Sequence, residues 1–238
     1  MTRVTRPRQE ATITAVPSPK RHPYDQWSPD ARALDLVGDK WTLLIVRDLV
    51  CGPRRFVELQ RVLPGISTEQ LRSRLNRMVA DGLLTRQRYR EVPPRVDYEL
   101  TDRARDLVPV IAELSRWGYR WAWGRPRPRE AVDVGAVLRA ACGLCDRGPG
   151  PEGVVELRVD DRRFWLTLDE RGASLSEEAP ADEPDAVIAG GEEDWIAALG
   201  PEATTDRLVA DGGPALVERA LSAFAPGPAS GRAAEHVA

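Results

Sequence analysis

Residues 66–82, ISTEQLRSRLNRMVADG, specify where one helix starts, which side it buries and where it stops. Ser67 with Gln70 three positions on is a capping box, in which each side chain satisfies a backbone amide of the other. Leu71, Leu75, Met78 and Val79 form the buried stripe of an amphipathic helix, and Gly82 follows as a residue able to turn left-handed beyond the last turn. With the stripe inward, Glu69, Gln70, Ser73 and Arg77 point outward, and Arg72 and Arg74 lie on the flanks. Directly after it, Leu83 to Arg90 and Arg95 to Leu100 read as two strands joined by Glu91-Val92-Pro93-Pro94, a hairpin with a proline tip. A cationic helix feeding an arginine-bearing hairpin leaves few folds open.

The flanking segments narrow the choice. Ser28 and Pro29 supply an N-cap and a first-position proline for a short helix with Ala31, Leu34, Leu36 and Val37, ending near Gly38. A second helix, about Lys40 to Cys51, is apolar nearly all round from Trp41 to Val46 except at Thr42, as a central buried helix would be. A third, from about Arg55, presents Phe56, Leu59 and Val62 before Pro64-Gly65 stops it. One long helix is expected from Thr101 to near Gly124, with Leu107, Val110, Ile111, Leu114, Trp117 and Trp121 on one side. Helices, hairpin and trailing helix in this order are the layout of a winged helix-turn-helix.

Charge divides the chain. Residues 1–130 hold 25 Arg and Lys against 16 Asp and Glu, and residues 131–238 hold 9 against 21, so a half of +9 precedes one of -12 within a net charge of -3. A basic half can take up phosphate backbones, whereas an acidic half is repelled by them, so the two halves are expected to meet different partners. No apolar run approaches the roughly 18 residues of a membrane helix, and the chain reads as cytoplasmic, without a membrane partner. Cys51, Cys142 and Cys145 are too few for a disulfide framework, and only His22 and His236 could join them on a metal, so no metal or cofactor is expected. Neither GxSxG, P-loop, HExxH nor a dinucleotide glycine pattern occurs, so an enzyme is not expected.

The segments ARALDLVGDKWTLLIVRDLVCGPRRF (31–56), LPGISTEQLRSRLNRMVADGLL (63–84) and REVPPRVDYELT (90–101) resemble the HxlR family of bacterial winged-helix transcriptional regulators. The resemblance implies a recognition helix at 67–77, a wing at 86–95, double-stranded DNA as partner and a homodimer built from the first helix and the long one. Residue chemistry agrees with these roles. Thr68, Glu69, Gln70 and Ser73 suit base edges, with Gln toward adenine and Glu toward a cytosine amino group; Arg72, Arg74 and Arg77 suit phosphate or guanine, and Ser67 opens the same DNA-binding face. Arg86, Arg88, Arg90 and Arg95 belong to the wing, and Lys40, Arg54 and Arg55 could add backbone contacts or be plain surface charge. Trp117, Tyr119, Trp121 and Trp123 supply apolar area for a dimer or for a domain junction. Family members that sense oxidants do so through a cysteine just ahead of the first helix; Ser28 stands there, and Cys51 reads as a small buried hydrophobe. Cys142 and Cys145 form a C-x-x-C that is redox-active, shares a metal across a dimer, or is an ordinary helix end.

The expected plan is a flexible arm at 1–26, the winged domain at 27–124, a linker at 125–131, an α+β domain at 132–226 and a tail at 227–238. In the acidic half, Val155, Leu157 and Val159, then Phe164, Leu166 and Leu168, alternate as a hairpin, followed by short strands near 173–176 and 186–189 and two helices. The run LTLDERGASLSEEAPADEPDAVIAGGEEDWIAAL resembles the sterol carrier protein type of lipid-binding domain, over roughly 130–226. That resemblance implies an apolar cavity, for which Phe164, Trp165, Leu166, Trp195, Ile196, Leu216, Leu221 and Phe224 are candidates; a filled core accounts for the same residues. The reading is a DNA-binding regulator, a repressor, whose C-terminal domain senses a small apolar ligand. The alternative is a lipid carrier or protein-interaction module without specific DNA binding.

Overall fold

The computed structural model describes residues 23–89, 95–141 and 150–224. Arg90, the hairpin tip 91–94, Cys142 and Cys145, most of the expected arm and the expected tail lie outside the described residues.

Four helices precede the wing: α1 (Pro29–Val37), α2 (Thr42–Leu49), α3 (Phe56–Val62) and α4 (Thr68–Ala80), with the two-residue strand β1 (Arg54–Arg55) between α2 and α3. Ser28 caps α1, its hydroxyl accepting from the Ala31 amide. The Ser67 and Gln70 capping box of α4 is formed, and Gly82 adopts φ of 70° past the helix end, as the sequence requires. β2 (Leu84–Tyr89) and β3 (Arg95–Leu100) pair antiparallel, Leu84 opposite Leu100 and Tyr89 opposite Arg95, and β1 adds to the other edge of β3. Ile45, Val46 and Leu49 of α2, Leu59 of α3, and Leu71, Leu75 and Met78 of α4 close one core together with Leu83, Leu84 and Leu100. Each such side chain contributes on the order of 1.5–3 kcal/mol on burial.

The long helix expected from Thr101 is two. Thr101 caps α5 (Asp102–Arg105), and α6 (Val108–Trp121) starts afresh with Pro109 in its first turn. Pro109 has no N–H to give the carbonyl of Arg105, and its ring would crowd that carbonyl in a continuous helix. The same proline is well placed at a helix start.

Beyond residue 125 a second core forms. α7 (Val134–Ala141), α8 (Glu192–Leu199) and α9 (Pro214–Ser222) pack on a sheet of order β6-β5-β4-β7-β8, made of β4 (Gly153–Val159), β5 (Arg162–Asp169), β6 (Gly172–Ser176), β7 (Ala186–Gly190) and β8 (Val209–Gly212). β4 runs parallel to β7; the other neighbours are antiparallel. Val155, Leu157, Val159, Phe164, Leu166 and Leu168 alternate into this core as expected, against Leu138, Trp195 and Phe224. β8 is the strand the sequence does not announce: all four of its residues are exposed, so it carries no apolar alternation. Among the described residues no helix is long and apolar enough to cross a membrane.

Candidate nucleic-acid interface

α4 turns Leu71, Leu75 and Met78 into the core and leaves Thr68, Glu69, Gln70, Arg72 and Ser73 exposed. Several of these groups are already engaged. The Ser67 hydroxyl accepts from the Gln70 amide and the Gln70 Oε1 accepts from the Ser67 amide, both at 3.1 Å. Gln70 therefore offers chiefly its amide N–H groups outward. Thr68 Oγ1 accepts from Gln60 Nε2 at 2.8 Å, and Arg72 pairs with Glu69 at 3.2 Å across one turn. Arg77 is half-buried on the same side of the helix. Helical spacing also puts Asn76 beside Ser73 and Arg72, and asparagine can read adenine with two hydrogen bonds. Asn76 carries no charge to mark it in the sequence, although the helical wheel alone places it there.

Two arginines stand elsewhere than expected. Arg74 is turned against the body of the protein, its Nη1 2.9 Å from Asp39 and its side chain 18% exposed. Arg54 is tucked between the two cores: its Nε donates to the Asp48 carbonyl at 2.6 Å and its Nη2 meets Glu177 at 2.5 Å. Both have found a carboxylate or carbonyl inside the molecule, which is why neither stands out as a free cation.

On the wing, Arg86 faces Tyr98 and Arg88 faces Val96 in the register, so the two share one side of the ribbon, and both are exposed. Arg95 faces Tyr89, which puts it on the opposite side, stacked 5.3 Å from the Tyr89 ring and paired with buried Asp97 at 2.7 Å. Arg55, beside Asp97 in the β1–β3 pairing and half-exposed, approaches the same carboxylate at 4.0 Å. Lys40 is exposed over the Trp41 ring, 4.8 Å from its centre. The geometry therefore gathers the exposed edge of α4 and the Arg86 and Arg88 side of the wing as polar, cationic surface, while Arg54, Arg74 and Arg95 hold the scaffold.

A model described as HxlR-like helix-turn-helix matches residues 36–125. The helix-turn-helix transcriptional regulator sll1512 of Synechocystis sp. is 40% identical over 93 residues, 39% of this chain and 69% of that protein. YybR of Bacillus subtilis, described in the same terms, is 34% identical over 97 residues, 41% of this chain and 78% of that protein. The reduced form of the transcriptional regulator YodB from B. subtilis aligns with 41% of this chain and 96% of its own at 32% identity, with a TM-score of 0.37. The chain belongs to the HxlR family.

The HxlR match spans α4 and the described wing and ends where the second core begins. Ionic bonds join the HxlR segment to that core, against which Cys51 also packs. The Arg139 guanidinium of α7, fully buried, donates to Asp48 of α2 at 2.9 Å, to Glu177 at 2.8 Å and to Asp133 at 2.7 Å. Burial works against the Arg139 charge, but Asp48, Asp133 and Glu177 outweigh it and raise its pKa. Burial would likewise raise the Asp133 carboxyl; Arg139 and Arg162 overcome this and hold it below its ordinary value. Trp123 adds a neutral tie, its indole N–H donating to the Leu199 carbonyl at 3.0 Å. Tyr119 packs edge-on to Trp123 at 5.5 Å, and burial pushes its hydroxyl up to about 12. The expected aromatic cluster thus splits: Trp123, with Tyr119 against its ring, reaches Leu199 of the second core, while Trp117 and Trp121 remain 59% and 55% exposed.

A cavity of about 570 Å³ opens between α8, β8 and α9. Trp195, Leu221 and Phe224 line it, as expected, with Leu199, Val217 and Pro214. Phe164, Trp165, Leu166, Ile196 and Leu216 are not part of its wall; Phe164, Leu166 and Leu216 are spent in the filled core.

Proposed function

We propose that this chain is a DNA-binding transcriptional regulator that acts as a homodimer on an inverted repeat. The observation that carries the reading is the exposed polar edge of α4 beside a ribbon with Arg86 and Arg88 on one side. A major groove about 12 Å wide accepts one helix, and a ribbon can follow the adjoining backbone. In this reading Thr68, Glu69, Gln70 and Ser73 meet base edges, with Arg72, Arg77, Arg86, Arg88, Lys40 and Arg55 on phosphates. One domain of this kind buries only roughly 600–1,000 Å² on DNA, and a twin on a half-site one helical turn away supplies the rest. The dimer contact falls on α1 and α6, where Leu34, Val110, Leu114, Trp117 and Trp121 are exposed. The presence of two cores supports a division into domains 27–124 and 132–226 joined by 125–131.

The finer reading has the acidic domain sterol-carrier-like and its cavity open to a small apolar molecule, whose binding would reset a repressor. The apolar wall of Trp195, Leu199, Leu221 and Phe224 supports it. Selecting duplexes from a random pool with the purified chain tests the main claim. An inverted repeat is expected, with affinity falling steeply from low to moderate salt. Recovery of no common sequence, with affinity flat in salt, would instead favour a carrier or interaction module. Native mass spectrometry of the purified chain tests the ligand: a co-purifying lipid supports it, and loss of that mass in Ala198→Trp would place it in the cavity.

A further inference from the structure

Asp39 carries an unusual number of donors for a carboxylate near the surface. Its Oδ1 accepts from the amides of Trp41 at 2.8 Å and Thr42 at 3.1 Å, so it caps the N-terminus of α2. Its Oδ2 accepts from the hydroxyl of fully buried Thr42 and, at 2.9 Å, from Nη1 of Arg74 on α4. One carboxylate thereby bonds two helices. The Arg74 side is demanding: burial lowers its pKa, the Asp39 charge opposes this, and the Arg74 Nε is buried without a hydrogen-bond partner. A guanidinium facing the positive end of a helix is stable there only while a negative group stands between.

We infer that Arg74 is a positioning residue, which braces α4 against the capped end of α2 through Asp39 and so sets the angle at which the exposed edge of α4 meets DNA. It is not one of the phosphate contacts. This rests on the DNA-binding reading, and the two are separable by experiment. A phosphate contact contributes sequence-independent affinity and about 0.9 to the salt slope. A brace contributes neither; it governs register, hence the preference for one sequence over another.

The test uses the full chain, Arg74→Met and Asp39→Asn. Asparagine still caps α2 but brings no charge, so it separates the cap from the brace. The probes are a duplex selected by the wild type from a random pool and a random-sequence duplex of equal length. Both variants are expected to bind the selected duplex about tenfold or more weakly, to bind the random duplex unchanged and to keep the wild-type salt slope. The double variant should be no weaker than either single one. A slope reduced by about one in Arg74→Met alone would make Arg74 a phosphate contact and overturn the inference. Wild-type affinities for both duplexes, with only a lower Tm, would leave the pair structural and also overturn it. Amide hydrogen exchange of α4 in the free protein, expected to rise in both variants, judges the brace without DNA. Unchanged exchange would remove it even if the selected duplex bound as expected, and failure of the wild type to bind any duplex would sink the regulator reading instead.

Discussion

At the scale of single residues, the molecule concentrates its electrostatic risk at Arg139. A guanidinium with no exposed surface, held by Asp48, Asp133 and Glu177, is balanced only as a set. Removing the cation leaves fully buried Asp48 with Arg47 alone, so Arg139→Met, which keeps most of the volume, is expected to destabilise the chain by roughly 3–5 kcal/mol in urea titrations. Loss under about 1 kcal/mol would show the cluster to be wet and weak. Asp133 gives a pH signature. Its folded pKa lies below the ordinary carboxylate value, so the stability it contributes is complete above about pH 4 and disappears as pH falls through the lowered value. Asp133→Asn should therefore be less stable than the wild type by about 1.5–3 kcal/mol from pH 8 to 5, and the difference should close below pH 4. A constant gap down to pH 3 would remove Asp133 from the ionic set. Gly135 shows how tightly the site is built, since a Cβ there would come within 2.9 Å of both Arg139 and the Phe164 ring.

At the scale of elements, the two sides of the wing differ in their duties. Arg88→Ala should lower the salt slope of duplex binding by about 0.9 per subunit with little change in Tm, because its side chain is exposed. Arg95→Ala should do the reverse, as it uncovers buried Asp97. Equal slopes in the two variants would mean that the register does not sort the arginines. This sorting was only half legible in the sequence. Local signals carried α1, α4 and the alternating strands, because a capping box, a 3.6-residue stripe and a two-residue period are complete within a dozen residues. What was not legible depends on partners distant in the chain. β1 exists only by pairing with β3, β8 only by pairing with β7, and Arg54 leaves the DNA side because Glu177 lies 123 positions away. Membership of the wing does not give Arg95 its side; the cross-strand register does, setting it opposite Tyr89 and away from Arg86 and Arg88. The break before α6 had a local signal in Pro109 that an unbroken apolar stripe concealed.

At the scale of the whole molecule, one apolar surface has no counterpart among the described residues. Val110, Leu114, Trp117 and Trp121 follow each other at helical spacing along α6 and are each half or more exposed, while Ile111 and Ala112 on its other side are buried. The acidic half is repelled by DNA, and it is tied to the first core at Asp48 of α2 through Arg139 and at Trp123, beyond the end of α6, while these four residues stay exposed. A second copy is the partner that symmetry supplies without new residues, and a stable contact of this kind buries upward of about 1,000 Å². Leu114→Glu with Trp117→Glu places charge on exposed positions, so the fold should survive, with an unchanged circular dichroism spectrum. Sedimentation should then report a monomer. Because log affinity falls with log salt in proportion to the phosphates neutralised, losing one subunit should halve the slope as well as weaken binding. A double variant that sediments as a monomer yet keeps the full slope would show that one subunit alone makes every contact, and the inverted-repeat geometry would have to be given up.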